Sequence, residues 1–252
     1  MASWQQLDIA GKRADIFFPS RRAAANFAVL FLHGHALLTL KDNEVYTAQL
    51  DKLGLACVCP HGQRSWWGGR ICREFDPHIT PVEYLRESVL PWMQANCHAS
   101  PPAVALLGVS MGGQGALRLA YRYPQQFPVV AALAPAVDFH IWYGRGLPLD
   151  EMYPTAEAAR QETATLLLHP LNWPRHQLLT CDPDDADWFE GAQRLASKLH
   201  STGIPFESDF ETRHGGHSWE YFNHVAPRVM QFVVNALDQE RRRLPALGDG
   251  GR

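Results

Sequence analysis

The stretch Val104-Ala105-Leu106-Leu107-Gly108-Val109-Ser110-Met111-Gly112-Gly113 decides how this chain folds. Its opening run of apolar residues reads as a strand buried on both faces. The small residues from Gly112 to Tyr123 read as a helix. Between the two, Gly108-Val109-Ser110-Met111-Gly112 has the form G-x-S-x-G at a sharp strand-to-helix turn. Such a turn strains the serine backbone, so its flanks must be nearly free of side chain, a demand that Gly108, Gly112 and Gly113 meet. The helix beginning there aims backbone N–H groups and its positive dipole end at the serine oxygen. Ser110 is therefore the candidate nucleophile.

The alternation extends both ways. Upstream, Asp8 to Phe18 alternates as antiparallel edge strands do, with Pro19-Ser20-Arg21-Arg22 expected as the turn that closes them. Buried strands are expected at Phe27 to Leu32 and at Leu55 to Pro60, with helices over residues 41–53 and Val82 to Cys97. Downstream, strands are expected at Val129 to Ala134, Gln177 to Cys181 and Phe206 to Thr212, and helices at Glu190 to Ser201 and Trp219 to Leu237. Strand, helix, strand order implies a mostly parallel central sheet with helices on both faces. Asp138 to Arg175, rich in aromatics and prolines with a helical segment at Ala156 to Leu168, stands where another crossover belongs and reads as a short lid-like insertion. Residues 1–239 are thus one domain with an insertion at about 138–175, and residues 240–252 are expected to be a disordered polar tail.

Of the 252 residues 46% are hydrophobic, enough for a sizeable core, and 23 basic against 26 acidic residues give a net charge of −3. With no basic face evident, nucleic acid is not an expected partner. The N-terminus lacks the basic start and apolar run of a secretory signal, and no apolar run approaches the ~20 residues that span a bilayer, so a cytoplasmic protein without a membrane partner is expected. Five cysteines at irregular spacing fit reduced thiols.

A serine hydroxyl needs a base, and the base needs a carboxylate to orient it. The chain order serine, acid, histidine leaves seven histidines after Ser110. His217, in Arg213-His214-Gly215-Gly216-His217-Ser218-Trp219 between the last strand and last helix, stands where the base belongs, with His214 and His224 read as ordinary surface residues. The acid is sought in Cys181-Asp182-Pro183-Asp184-Asp185-Ala186-Asp187-Trp188, where one carboxylate can face the imidazole and most of the others should be solvated. Asp185 is favoured and Asp187 is second. Oxyanion donors are expected at the backbone N–H groups of Met111 and of His35, after the strand that ends at Leu32. Neither Cys57-Val58-Cys59 nor His214-Gly215-Gly216-His217 has the partners of a metal site, and the aspartate run lacks the spacing of a calcium loop, so no metal and no cofactor are expected.

From about Phe27 to Phe232 the chain resembles the Putative esterase family, which includes esterase D, S-formylglutathione hydrolases, feruloyl esterases and mycolyltransferases. The resemblance rests on Leu32-His33-Gly34, Ser65-Trp66-Trp67, Gly108 to Gly113, Cys181-Asp182-Pro183-Asp184-Asp185 and Gly215-Gly216-His217-Ser218-Trp219. It implies an α/β-hydrolase fold and a serine carboxylesterase or thioesterase acting on a small-molecule ester, with Ser110, Asp185 and His217 as catalytic residues. The chain departs from S-formylglutathione hydrolases at His33-Gly34-His35-Ala36, where those carry serine, glycine, leucine and threonine. The alternatives are a small serine peptidase of the same fold and a hydrolase-fold binding protein without catalysis. Trp142, Tyr143, Leu147, Leu149, Met152 and Tyr153 of the insertion suggest a pocket for an acyl or aryl group of moderate size, and a homo-oligomer is left open.

Overall fold

The four strands at the centre of the sheet carry no charged or polar side chain because each is covered on both faces. In β3 (Ala28–Leu32), Ala28, Leu30 and Leu32 join one core, while Val29 and Phe31 join a second core across the sheet. The computed structural model describes residues 2–23 and 25–248. Within them, β1 (Ser3–Ile9), β2 (Lys12–Phe18), β3, β4 (Ala56–Pro60), β5 (Val104–Val109), β6 (Val129–Leu133), β7 (His176–Thr180) and β8 (Glu207–Asp209) form one sheet in the order β1-β2-β4-β3-β5-β6-β7-β8. The β1–β2 and β2–β4 pairings are antiparallel and the rest are parallel. This is the mostly parallel α/β-hydrolase sheet expected from the sequence.

One face is covered by α1 (Glu44–Leu53) and α9 (Trp219–Gly248), through Tyr46, Leu50, Val229 and Val233. The other is covered by α2 (Pro81–Tyr84), α3 (Leu90–Cys97), α4 (Met111–Arg122) and α8 (Phe189–Ser201). A π-helical turn, Leu85–Val89, joins α2 to α3. It lies just before Pro91, which has no N–H to give and whose ring would press on the Glu87 carbonyl in a regular helix.

Three local expectations are corrected. The N-terminal hairpin turns at Ala10 and Gly11, where Ile9 faces Lys12, and both turn residues have positive φ (50° and 79°). The chirality of a two-residue hairpin requires such residues, whereas Pro19 to Arg22 merely leads out of β2. The last helix runs past Leu237: Glu240 is buried and binds Arg175 and His176, so the chain is still packed where the tail was expected to begin. Residues 249–252 of that expected tail lie outside the described residues. The insertion forms short turns, a 3₁₀ turn Phe139–Trp142, α5 (Leu149–Met152), α6 (Ala156–Arg160) and α7 (Ala164–Leu167), and it buries Phe139, Leu149, Met152 and Tyr153 in the core instead of in a pocket wall.

From β3 the chain crosses to β4 on one side and then returns to β5 on the other. Helices leaving the carboxyl ends of β3 and β5 therefore lie on opposite faces of the sheet, and a crevice lined by Gly34 and Ser110 opens at this switch point.

Candidate active site

Ser110 joins β5 to α4 with φ 55° and ψ −121°, a backbone conformation that a residue with a side chain rarely adopts. It is held there by neighbours: its N–H donates to the Leu133 carbonyl at 2.9 Å, and its own carbonyl accepts from Ala136 N–H at 3.0 Å. The glycines act through contact. A Cβ at Gly108 would fall 2.1 Å from the Gly112 carbonyl oxygen, and one at Gly112 would fall 1.9 Å from that of Leu32, so only hydrogen fits where the elbow folds onto β3.

The aspartate run after β7 splits into two buried and two exposed carboxylates. Asp182, expected to be solvated, is fully buried; its Oδ2 accepts N–H bonds from His214 (2.6 Å) and Gly216 (2.9 Å), and its Oδ1 accepts from Asp184 (2.8 Å). Burial alone would raise its pKa, but these three backbone donors outweigh that and hold it below the usual carboxylate range. Asp182 thereby ties the histidine loop to the acid loop. Asp185 is also buried; its Oδ1 accepts from the backbone N–H groups of Asp187 and Trp188, both at 3.1 Å, and its Oδ2 faces His217 Nδ1 at 2.7 Å. The Cys181 thiol donates to the same Oδ2 at 3.6 Å. His217 Nε2 lies 3.0 Å from Ser110 Oγ. One continuous line of hydrogen bonds thus joins Asp185, His217 and Ser110. Asp187 does not reach the imidazole and lies at the pocket instead, while His214 stacks on His224 with ring centres 4.1 Å apart.

The loop after β3 passes against the serine: a Cβ at Gly34 would lie 3.2 Å from Ser110 Cβ. His35 follows Gly34 in this loop and lines the same cavity as Ser110, and Met111 is the first residue of α4. His33, whose place in the sequence signals no role, anchors the loop. It is wholly buried and its Nε2 accepts from Gly62 N–H at 3.0 Å, so the neutral ring carries its proton on Nδ1 and donates to the Gly34 carbonyl at 2.8 Å. Its own carbonyl accepts from Trp67 Nε1 at 3.0 Å. Trp66 and Trp67, both buried and both at positive φ (54° and 50°), form the base beneath this loop.

Burial, aided by the nearby His61, lowers the His33 pKa from 6.5 to about 4. A depressed histidine pKa means that the folded state binds fewer protons than the unfolded chain. Its stabilisation is therefore full above pH 6.5 and is lost as pH falls from there to about 4, on the order of 3 kcal/mol over that window. Urea midpoints at neutral pH and near pH 4.5 should show this loss. His35 and His140, lowered mainly by partial burial, act in the same direction, so the diagnostic result is a shallower slope in His33→Asn. An unchanged slope would exclude His33 as the source.

The crevice encloses a cavity of about 310 Å³ lined by Gly34, His35, Leu38, Ser110, Trp142, Asp187, Trp188, His217, Trp219 and Phe222. Of the six insertion residues suggested for the pocket, Trp142 alone lines it. Among the described residues no helix is long and apolar enough to cross a membrane.

Residues 73–228 match the model of a family described as Putative esterase. The diacylglycerol acyltransferase/mycolyltransferase Ag85A of Mycobacterium bovis is 36% identical over 93 residues, which is 35% of this chain and 28% of that protein. The Ag85C protein of Mycobacterium avium is 47% identical over 51 residues, 20% of this chain and 14% of that protein. The matched segments thus span less than a third of these relatives' lengths. Among solved structures, an S-formylglutathione hydrolase from Agrobacterium tumefaciens superposes with a TM-score of 0.73 at 17% identity, covering 94% of each chain. One from Staphylococcus aureus does so with a TM-score of 0.76 at 14% identity, covering 93% of this chain and 99% of that one. At such identities the likeness is one of fold.

Proposed function

The chain belongs to the Putative esterase family, and from that premise we propose that it hydrolyses carboxylic esters or thioesters through an acyl-enzyme on Ser110. The observation that carries this reading is the unbroken Asp185–His217–Ser110 hydrogen-bond line at the floor of a largely apolar cavity. His217 Nε2 takes the Ser110 proton as Oγ attacks the carbonyl carbon, and Asp185 keeps Nδ1 protonated and stabilises the imidazolium that forms. The N–H groups of His35 and Met111 donate to the developing oxyanion. His217 then returns its proton to the leaving alcohol or thiol. Water, admitted by the partly exposed face of the imidazole, repeats the sequence and frees the acid. No step calls for a cofactor or metal. We also place the reaction in the cytoplasm, where the five cysteines, all free and buried, would stay reduced.

The test is turnover of p-nitrophenyl esters of increasing acyl length together with labelling by a fluorophosphonate probe. The expected result is one labelled residue, Ser110, and a preference for short to medium acyl chains, since about 310 Å³ is near the lower end of small-molecule pockets. A protein inert to every ester and thioester and unlabelled at Ser110 would be a binding protein on a hydrolase fold.

A further inference from the structure

Among the described residues, the only carboxylate lining this cavity is that of Asp187. Among the described residues no lysine or arginine lines it, and its other titratable lining groups are His35 and His217. The carboxylates around Asp187 are engaged: Asp184 with Arg213, Asp185 with His217, Glu190 with Arg194. Asp187 gives its backbone N–H to Asp185 Oδ1, while among the described residues its own exposed carboxylate has no ion-pair partner. The indoles of Trp142 and Trp188, ring centres 5.1 Å apart, line the same cavity, as do Trp219 and Phe222, which meet edge to face at 5.5 Å. Arg145, whose guanidinium carbon is 5.6 Å from the Trp142 ring centre, does not line the cavity.

Aromatic faces carry negative quadrupole density and attract a cation within about 6 Å, most strongly for indole. A carboxylate without an ion-pair partner among the described residues, lining the same cavity as three indoles, adds a direct charge attraction for the same group. From this juxtaposition we propose that the pocket selects esters bearing a cationic group, an alkylammonium or quaternary ammonium, and disfavours anionic ones, with Asp187 as the specificity-determining residue. The position of the scissile carbonyl beside Ser110 rests on the hydrolase reading, whereas the cation subsite does not.

Competitive inhibition of p-nitrophenyl acetate hydrolysis by choline and by its uncharged isostere 3,3-dimethylbutanol tests this in the wild type and in Asp187→Asn. Choline is expected to bind about tenfold more tightly than the isostere, as one cation–π contact plus one solvent-exposed ion pair allows. That ratio should fall about threefold or more in Asp187→Asn and on adding salt. A ratio of one or less in the wild type, or a ratio indifferent to Asp187→Asn, overturns the proposal while leaving ester hydrolysis intact. Should p-nitrophenyl acetate not be hydrolysed, tetramethylammonium binding to the Ser110→Ala protein, read by tryptophan fluorescence, decides alone. Saturable quenching that is weakened by adding Asp187→Asn supports the subsite, and its absence removes it.

Discussion

Ser110→Ala is expected to lower ester turnover by about 10⁴-fold or more, His217→Ala is expected to do the same, and the double variant should be no worse than either single one. The non-additivity is the informative part. Oγ and Nε2 are 3.0 Å apart and serve one proton transfer, so once either is gone the other has nothing to act on. The activity that remains would come from the oxyanion donors and from binding. Single-turnover and steady-state assays of the three variants check this, with thermal melting to show that each is folded. A double variant that lost the product of the two single losses would mean the two side chains act independently, contrary to the mechanism.

Asp185→Asn should cost about 10³- to 10⁴-fold in kcat, and far more than Asp187→Asn. The reason lies in the two sides of the carboxylate. Oδ1 accepts two backbone N–H groups, from Asp187 and Trp188, so an asparagine must keep its carbonyl oxygen there and turn its NH₂ towards His217 Nδ1. That NH₂ can only donate, which forces the imidazole proton onto Nε2, and an Nε2–H cannot accept the serine proton. Asp187→Asn leaves this arrangement in place, and its loss on an uncharged ester should stay within about tenfold. Parallel kcat measurements on p-nitrophenyl acetate separate the two, and an Asp187→Asn loss equal to or deeper than that of Asp185→Asn would reassign the acid.

The aspartate run shows how far local reasoning reaches. Four carboxylates in six positions share one composition, and nothing in their spacing distinguishes Asp182, read as solvated, from Asp185, read as the acid. The difference arises from groups far along the chain: Asp182 is buried because His214 and Gly216 bring it N–H donors from 32 and 34 residues away, and Asp185 meets an imidazole 32 residues on. The role of His33 is invisible in the sequence for a similar reason, since it depends on Gly62, 29 residues on in the neighbouring loop.

What the sequence determined by itself was the strand–elbow–helix at Ser110, the alternation that builds the parallel sheet, and the loop that carries His217. Those features are written in short-range terms: apolar runs that need burial on two faces, and glycines where a side chain would strike backbone. The tertiary structure alone decided which aspartate faces the imidazole, that the insertion sends Leu149, Met152 and Tyr153 into the core while Trp142 walls the cavity, and that Asp187 lines that cavity with no ion-pair partner among the described residues. The direction of a side chain within a loop is set by partners that only the folded sheet brings within reach, and no periodicity along the chain encodes them.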